Sequence, residues 1–111
     1  MATIKSFSDL EQSRKLAEIL PLESADMHYV LIDSGKDLYS PGLDKYIGIL
    51  PHHPAWSLAA LLSVLPNENM LVKTTDSEYY CIAKDVTTKH YNNSIDACYE
   101  LILKLHELKM L

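Results

Sequence analysis

Five histidines in 111 residues are the first candidates for chemistry, and two of them are adjacent. His52 and His53 lie between Pro51 and Pro54, with Trp56 close behind. Imidazole nitrogen is a common metal ligand, and a proline-bounded loop beside an indole could line a small-molecule site. Zinc, however, takes four N or S donors, typically paired at short fixed spacings. The chain has no Cys-x-x-Cys, no His-Glu-x-x-His and no third ligand close to His52 and His53; His28 and His90 fall on strand-like stretches. Neighbouring side chains on an extended loop also point in different directions. A packing or solvent-exposed role is the plainer reading, with a ligand or metal site at His52, His53 and Trp56 as the alternative. No metal and no cofactor is expected.

Other constellations fail on their own chemistry. Asp33-Ser34-Gly35-Lys36-Asp37, followed by Asp44, has the acidity of a calcium loop. Such a loop needs Gly at its sixth position and a bidentate Glu at its twelfth. Here Leu38 and Asp44 stand at those positions, and Lys36 would place a cation inside the cage; the stretch reads as a turn. Cys81 and Cys98 would need a thiolate-stabilising neighbour to act as nucleophiles. Cys81 sits in an apolar strand pattern and Cys98 on an apolar helix face, so both read as inert, buried, free thiols. The three glycines (Gly35, Gly42, Gly48) are too scattered to cradle a phosphate. No catalytic residue is assigned, and the chain reads as non-enzymatic.

The tyrosines are a different case. Seven stand against one Phe and one Trp, and most recur on or beside strand-like stretches. Alternation along a strand puts Tyr79 and Cys81 on one face and Tyr80 and Ile82 on the other. Whichever sheet face the helices leave bare should therefore show tyrosine to water. Tyrosine is favoured at protein interfaces because its ring is apolar at one end and polar at the other. Tyr29, Tyr79, Tyr80 and Tyr91 are the candidate interaction residues.

The elements that must position these residues follow from periodicity. Tyr46 to Asn67 carries no formal charge in a chain that is 23% charged. Within it Leu58, Leu61, Leu62 and Leu65 recur at i, i+3, i+4 and i+7, which gives a helix from about Pro54 to Pro66. Ala59, Ala60 and Ser63 supply no polar face, so this helix is expected to be buried all round. Ahead of it, Ser8 and Glu11 have the spacing of a capping box for a helix that stops at Pro21. Thr3-Ile4-Lys5 could form an edge strand. Met27 to Ile32 reads as a strand, Asp37 to Ser40 and Lys45 to Leu50 as strand pieces, and 51–54 as a loop. Met70 to Thr75, Glu78 to Ala83 and Val86 to Tyr91 read as an antiparallel meander. Asn92-Asn93-Ser94 then caps a last helix with Asp96 in its first turn.

The succession of helix, Leu-Pro, Met-led strand and Asp-Ser occurs twice, at Leu20-Pro21, Met27 and Asp33-Ser34, and at Leu65-Pro66, Met70 and Asp76-Ser77. The reading is one α+β domain over 1–111, with an antiparallel sheet of about four to five strands and three helices mainly on one face. An internal repeat would pair 8–50 with 55–91 as two αββ units, leaving a C-terminal helix over 94–110.

Composition excludes several partner classes. The net charge is −5, and Arg14 is the single arginine among ten basic residues, so nucleic-acid binding through a basic face is disfavoured. No window reaches the roughly 18 uninterrupted apolar residues of a membrane helix, and no basic-then-apolar leader opens the chain, so a cytoplasmic protein is expected.

At Trp56 to Leu62 with Leu65-Pro66, and again at Tyr80-Cys81 and Asp96 to Glu100, the chain resembles a group of small uncharacterised proteins of gut Bacteroidetes genomes and their prophages or mobile elements. The resemblance covers Leu20 to the C-terminus. It implies cytosolic expression in a phage or mobile-element setting, and no chemistry. The functional expectation is a protein-binding module of unknown partner, with self-association as a homodimer among the candidates.

Overall fold

The computed structural model describes residues 6–33, 38–42 and 52–111, with side chains described at 6–29 and 54–111. Among the described residues, three α-helices and two small antiparallel sheets make an α+β fold. The first helix, α1, spans Leu10–Ile19. Its cap is shifted one residue from the expected Ser8 and Glu11. Asp9 accepts from the Gln12 backbone N–H at 2.7 Å, and Gln12 Oε1 accepts from the Asp9 N–H at 3.1 Å. Both residue pairs satisfy the same spacing rule; tertiary contacts choose between them. Ser8 is fully buried, its Oγ is 2.7 Å from Ser13 Oγ, and it accepts the Trp56 backbone N–H at 3.0 Å. Its carbonyl accepts the Tyr29 hydroxyl at 2.8 Å. The helix ends at Leu20, which is extended because the following Pro21 disfavours the α region.

After a single 3₁₀ turn at Leu22–Ser24, β1 (Met27–Asp33), β2 (Leu38–Gly42) and β3 (His52–Ala55) form a sheet in the order β2-β1-β3. The expected loop at 51–54 is therefore largely strand. Pro41 and Pro54 lie in β2 and β3, the two edge strands, where a missing N–H breaks no central ladder. The expected pieces at Thr3 to Lys5, Ser34 to Lys36 and Lys45 to Leu50 lie outside the described residues.

The second helix, α2, is Leu58–Val64, shorter than the span from Pro54 to Pro66 that its periodicity gave. Ser57 caps it, accepting from the Ala60 N–H at 3.2 Å. Ser57 also donates its own N–H to Asp26 Oδ1 at 2.9 Å and its hydroxyl to Asp26 Oδ2. Leu61 is fully buried, but Ala59 and Ser63 are exposed, so the helix is not buried all round.

The meander follows as β4 (Met70–Lys73), β5 (Tyr79–Ala83) and β6 (Val86–Thr87), a second sheet in the order β4-β5-β6. The expectation of a single sheet of four to five strands is thus corrected: the described strands divide into two sheets of three. Met27 opens a central strand and Met70 an edge strand. Beyond β6, Tyr79 bridges Tyr91, so Thr88, Lys89 and His90 stand opposite only Tyr80 and Cys81. This bulge is held by Thr88, whose N–H donates to the Cys81 carbonyl at 3.0 Å. Thr88 Oγ1 accepts the Cys81 N–H at 3.0 Å, taking the place of a ladder carbonyl.

The last helix, α3, spans Ser94–Glu107 with Asn93 as its cap. Asp96 accepts from Asn93 Nδ2 and from Gln12 Nε2, both at 2.8 Å, which ties the start of α3 to that of α1. At the other end Lys109 N–H bonds the His106 carbonyl and Met110 N–H the Leu105 carbonyl, a Schellman motif. One buried cluster joins Leu16, Trp56, Leu61, Cys81, Ile95, Leu101, Ile102 and Leu105, drawing on all three helices and β5. Each fully buried Leu or Ile contributes about 1.5–3 kcal/mol.

Five described positions carry a left-handed backbone without glycine, Lys109 and Asp85 among them. Lys109 occupies the left-handed C′ site with φ 59°, and Asp85 has φ 63° in the two-residue turn between β5 and β6. A side chain in that region costs roughly 1–2 kcal/mol, while glycine adds freedom to the unfolded chain worth about 0.4–1 kcal/mol. Lys109→Gly and Asp85→Gly are each expected to stabilise by about 0.5–1 kcal/mol, raising the melting temperature by a few degrees. A fall in melting temperature for both variants would contradict these turn geometries.

Candidate interaction surface

The second sheet has two unlike faces. Leu71, Cys81 and Ala83 turn toward α3 and the core, and Tyr79 packs against the same cluster. On the other face Met70 pairs with Ile82 and Val72 with Tyr80. Met70 is 55% exposed, and Val72, Tyr80 and Ile82 are half-buried. Tyr80 stacks on His90, with ring centroids 5.0 Å apart and planes inclined by 14°. His90 Nδ1 in turn lies 3.8 Å from Glu78 Oε1. The result is an apolar cross-strand patch with one polar corner, on the side away from α3. Its strand β4 is a sheet edge, which leaves one row of backbone hydrogen-bonding groups without a strand partner among the described residues.

Of the four tyrosines singled out from the sequence, Tyr79 and Tyr91 are paired through their backbones, while Tyr29 and Tyr80 stand apart from that pair. Tyr29 is buried at 9% exposure; its hydroxyl donates to the Ser8 carbonyl, and Phe7 meets its ring edge-on at 5.8 Å. Tyr79 carries the Lys73 ammonium 5.9 Å from its ring centroid. Tyr91 is half-buried against the core; burial, then the carboxylates of Glu100 and Asp96, raise its phenol above the ordinary value. Of the four, Tyr80 alone stands on the face away from α3.

The histidine alternative also divides. His52 and His53 pair through their backbones with Val30 and Tyr29, and their side chains lie outside the described residues. Trp56 is fully buried, and its indole N–H donates to Ser24 Oγ at 2.9 Å. Among the described residues no group of three or more His, Cys, Asp or Glu side chains is arranged to hold a metal ion. No helix among them is long and apolar enough to cross a membrane. The calcium-like stretch from Ser34 to Asp37 and Asp44 lies outside them.

Two features escaped the sequence reading. The bulge at Thr88 helps to shape a shallow groove of about 270 Å³ lined by Thr88, Lys89, Tyr91, Glu100, Lys104 and Glu107. Its charges are mixed, and Lys104 is bonded to the Thr87 carbonyl at 3.1 Å. The second is the approach of Cys81 to Cys98, 3.9 Å between sulfurs. Spacing alone gives neither. Comparison with protein-family models, with curated proteins and with solved structures found no match.

Proposed function

We propose that this chain is a non-enzymatic module that binds another protein, a second copy of itself included, through the face of the second sheet that carries Met70, Val72, Tyr80 and Ile82. The observation behind this reading is that patch, apolar, cross-strand paired and turned away from α3. A contact seated there would bury an aromatic anchor among aliphatic neighbours, the usual composition of an interface centre. The edge strand β4 beside it could extend the sheet into a partner's. The resemblance to small gut Bacteroidetes proteins supports a cytoplasmic, mobile-element setting for that partner.

The test is light scattering of the purified chain at high micromolar concentration, together with capture from host lysate and identification of what is held. Either arm is then repeated with Tyr80→Ala and Ile82→Lys, which leave the Cys81 side of the sheet intact. Each is expected to weaken the association by about 1–3 kcal/mol, roughly five- to 150-fold. Folded variants that bind as the parent does would remove this face from the reading. A strict monomer would end the homodimer branch.

A further inference from the structure

We propose that Cys81 and Cys98 are a modification site: an oxidisable pair that a small peroxide closes into a disulfide joining β5 to α3. Their sulfurs are 3.9 Å apart, and both side chains are fully buried. A disulfide needs about 2.05 Å between sulfurs, so each must move by only about 1 Å, within reach of small side-chain rotations. Cys81 is fixed by its strand, with its N–H on Thr88 Oγ1, and Cys98 by its helix, so the pair is held facing without a loop to reorder.

The two thiols are not equivalent. Either sulfur can donate across this contact; with Cys98 S–H as the donor, that bond, together with the Ile82 backbone, holds the Cys81 thiol below its ordinary value against the effect of burial. The same hydrogen bond, with burial, pushes Cys98 far up. In that arrangement Cys81 is the sulfur that attacks and Cys98 the one that resolves; with the hydrogen bond reversed the two roles exchange and the product is the same disulfide. The Cys81 thiolate attacks one peroxide oxygen, the O–O bond breaks, and the departing hydroxide takes up the thiol proton as water. Cys98 sulfur then attacks the Cys81 sulfenic sulfur, the S–O bond breaks, and the hydroxide leaves as water with the Cys98 proton. Two thiols and one peroxide become one disulfide and two waters. The enclosed site admits peroxide only when α3 opens locally, so the reaction is slow in the native chain and quickens as opening becomes more frequent.

The experiment treats the wild-type chain with hydrogen peroxide, in buffer and in urea just below the unfolding transition, and follows intact mass and free thiols. The expected product is a monomer lighter by two hydrogens, with both thiols lost together and both restored by dithiothreitol. The cysteines are 17 positions apart. Closing a loop of that length favours the folded state by roughly a hundredfold, read as a higher urea midpoint that dithiothreitol reverses. Cys98→Ser should instead accumulate oxygen adducts and show no such rise. The proposal is overturned if the wild type keeps both thiols in both solvents, gains only oxygen, links only between chains, or forms the bond with no rise in midpoint. The wild-type comparison before and after dithiothreitol needs no variant to fold.

Discussion

Leu61→Asp is expected to abolish soluble, folded expression. Leu61 has no exposed surface and belongs to the cluster that joins all three helices. The substitution removes the transfer energy of a buried leucine and places a carboxylate among apolar side chains with no basic partner in that cluster. The combined cost is about 5 kcal/mol or more, comparable with a typical total stability of about 5–15 kcal/mol. Ser63→Asp is the control, because it adds the same charge to the same helix on its exposed side. That control should express and melt as the parent does. A soluble Leu61→Asp chain with an unchanged melting temperature would show that α2 does not seat in the core.

Trp56→Ala carries the second-largest expected effect, a loss of about 3–5 kcal/mol. The indole is fully enclosed, and it does two separable things: it fills the junction between the first sheet and the helical core, and it donates to Ser24 Oγ. Trp56→Phe keeps most of the first and none of the second. Its cost should be less than that of alanine and above about 1 kcal/mol, the usual worth of one buried hydrogen bond plus a small void. Urea midpoints of the two variants read the difference directly. Equal losses would mean that packing of the ring contributes little there. The backbone bonds of Trp56 to Ser8 survive both changes, since they involve no side-chain atom of residue 56.

How far the sequence reached depends on whether an element is decided locally. Helix α3 was legible because cap, dipole charge and apolar face agree, and the meander because its turns are local. The α1 cap falls one residue later than the Ser8 spacing implies, since Ser8 is withdrawn from capping by Trp56 and Tyr29, neither near it in the chain. The sequence of β3 favours a loop because two prolines argue against a strand; its position at a sheet edge, invisible in the sequence, removes the objection. The division into two sheets likewise depends on which strands meet, not on what each strand contains. At the candidate surface, alternation separated Tyr79 from Tyr80 correctly. Nothing local could show that Tyr29 spends its hydroxyl on Ser8, or that a helix and a strand bring two cysteines face to face.

The serine at position 8 also bears on the order in which the molecule can be assembled. It is tied to Trp56 through both its backbone and its side chain, and Leu58 bonds back to Ser6. A chain leaving the ribosome makes the α1 segment early, yet those bonds wait for residues about fifty positions later. The cluster that receives Leu16 waits longer still, for Ile95 to Leu105. By contrast, β4, β5, β6 and α3 close their hydrogen bonds among near neighbours in the chain, where loop-closure entropy is small. The first helix to be synthesised is therefore among the last elements to be secured.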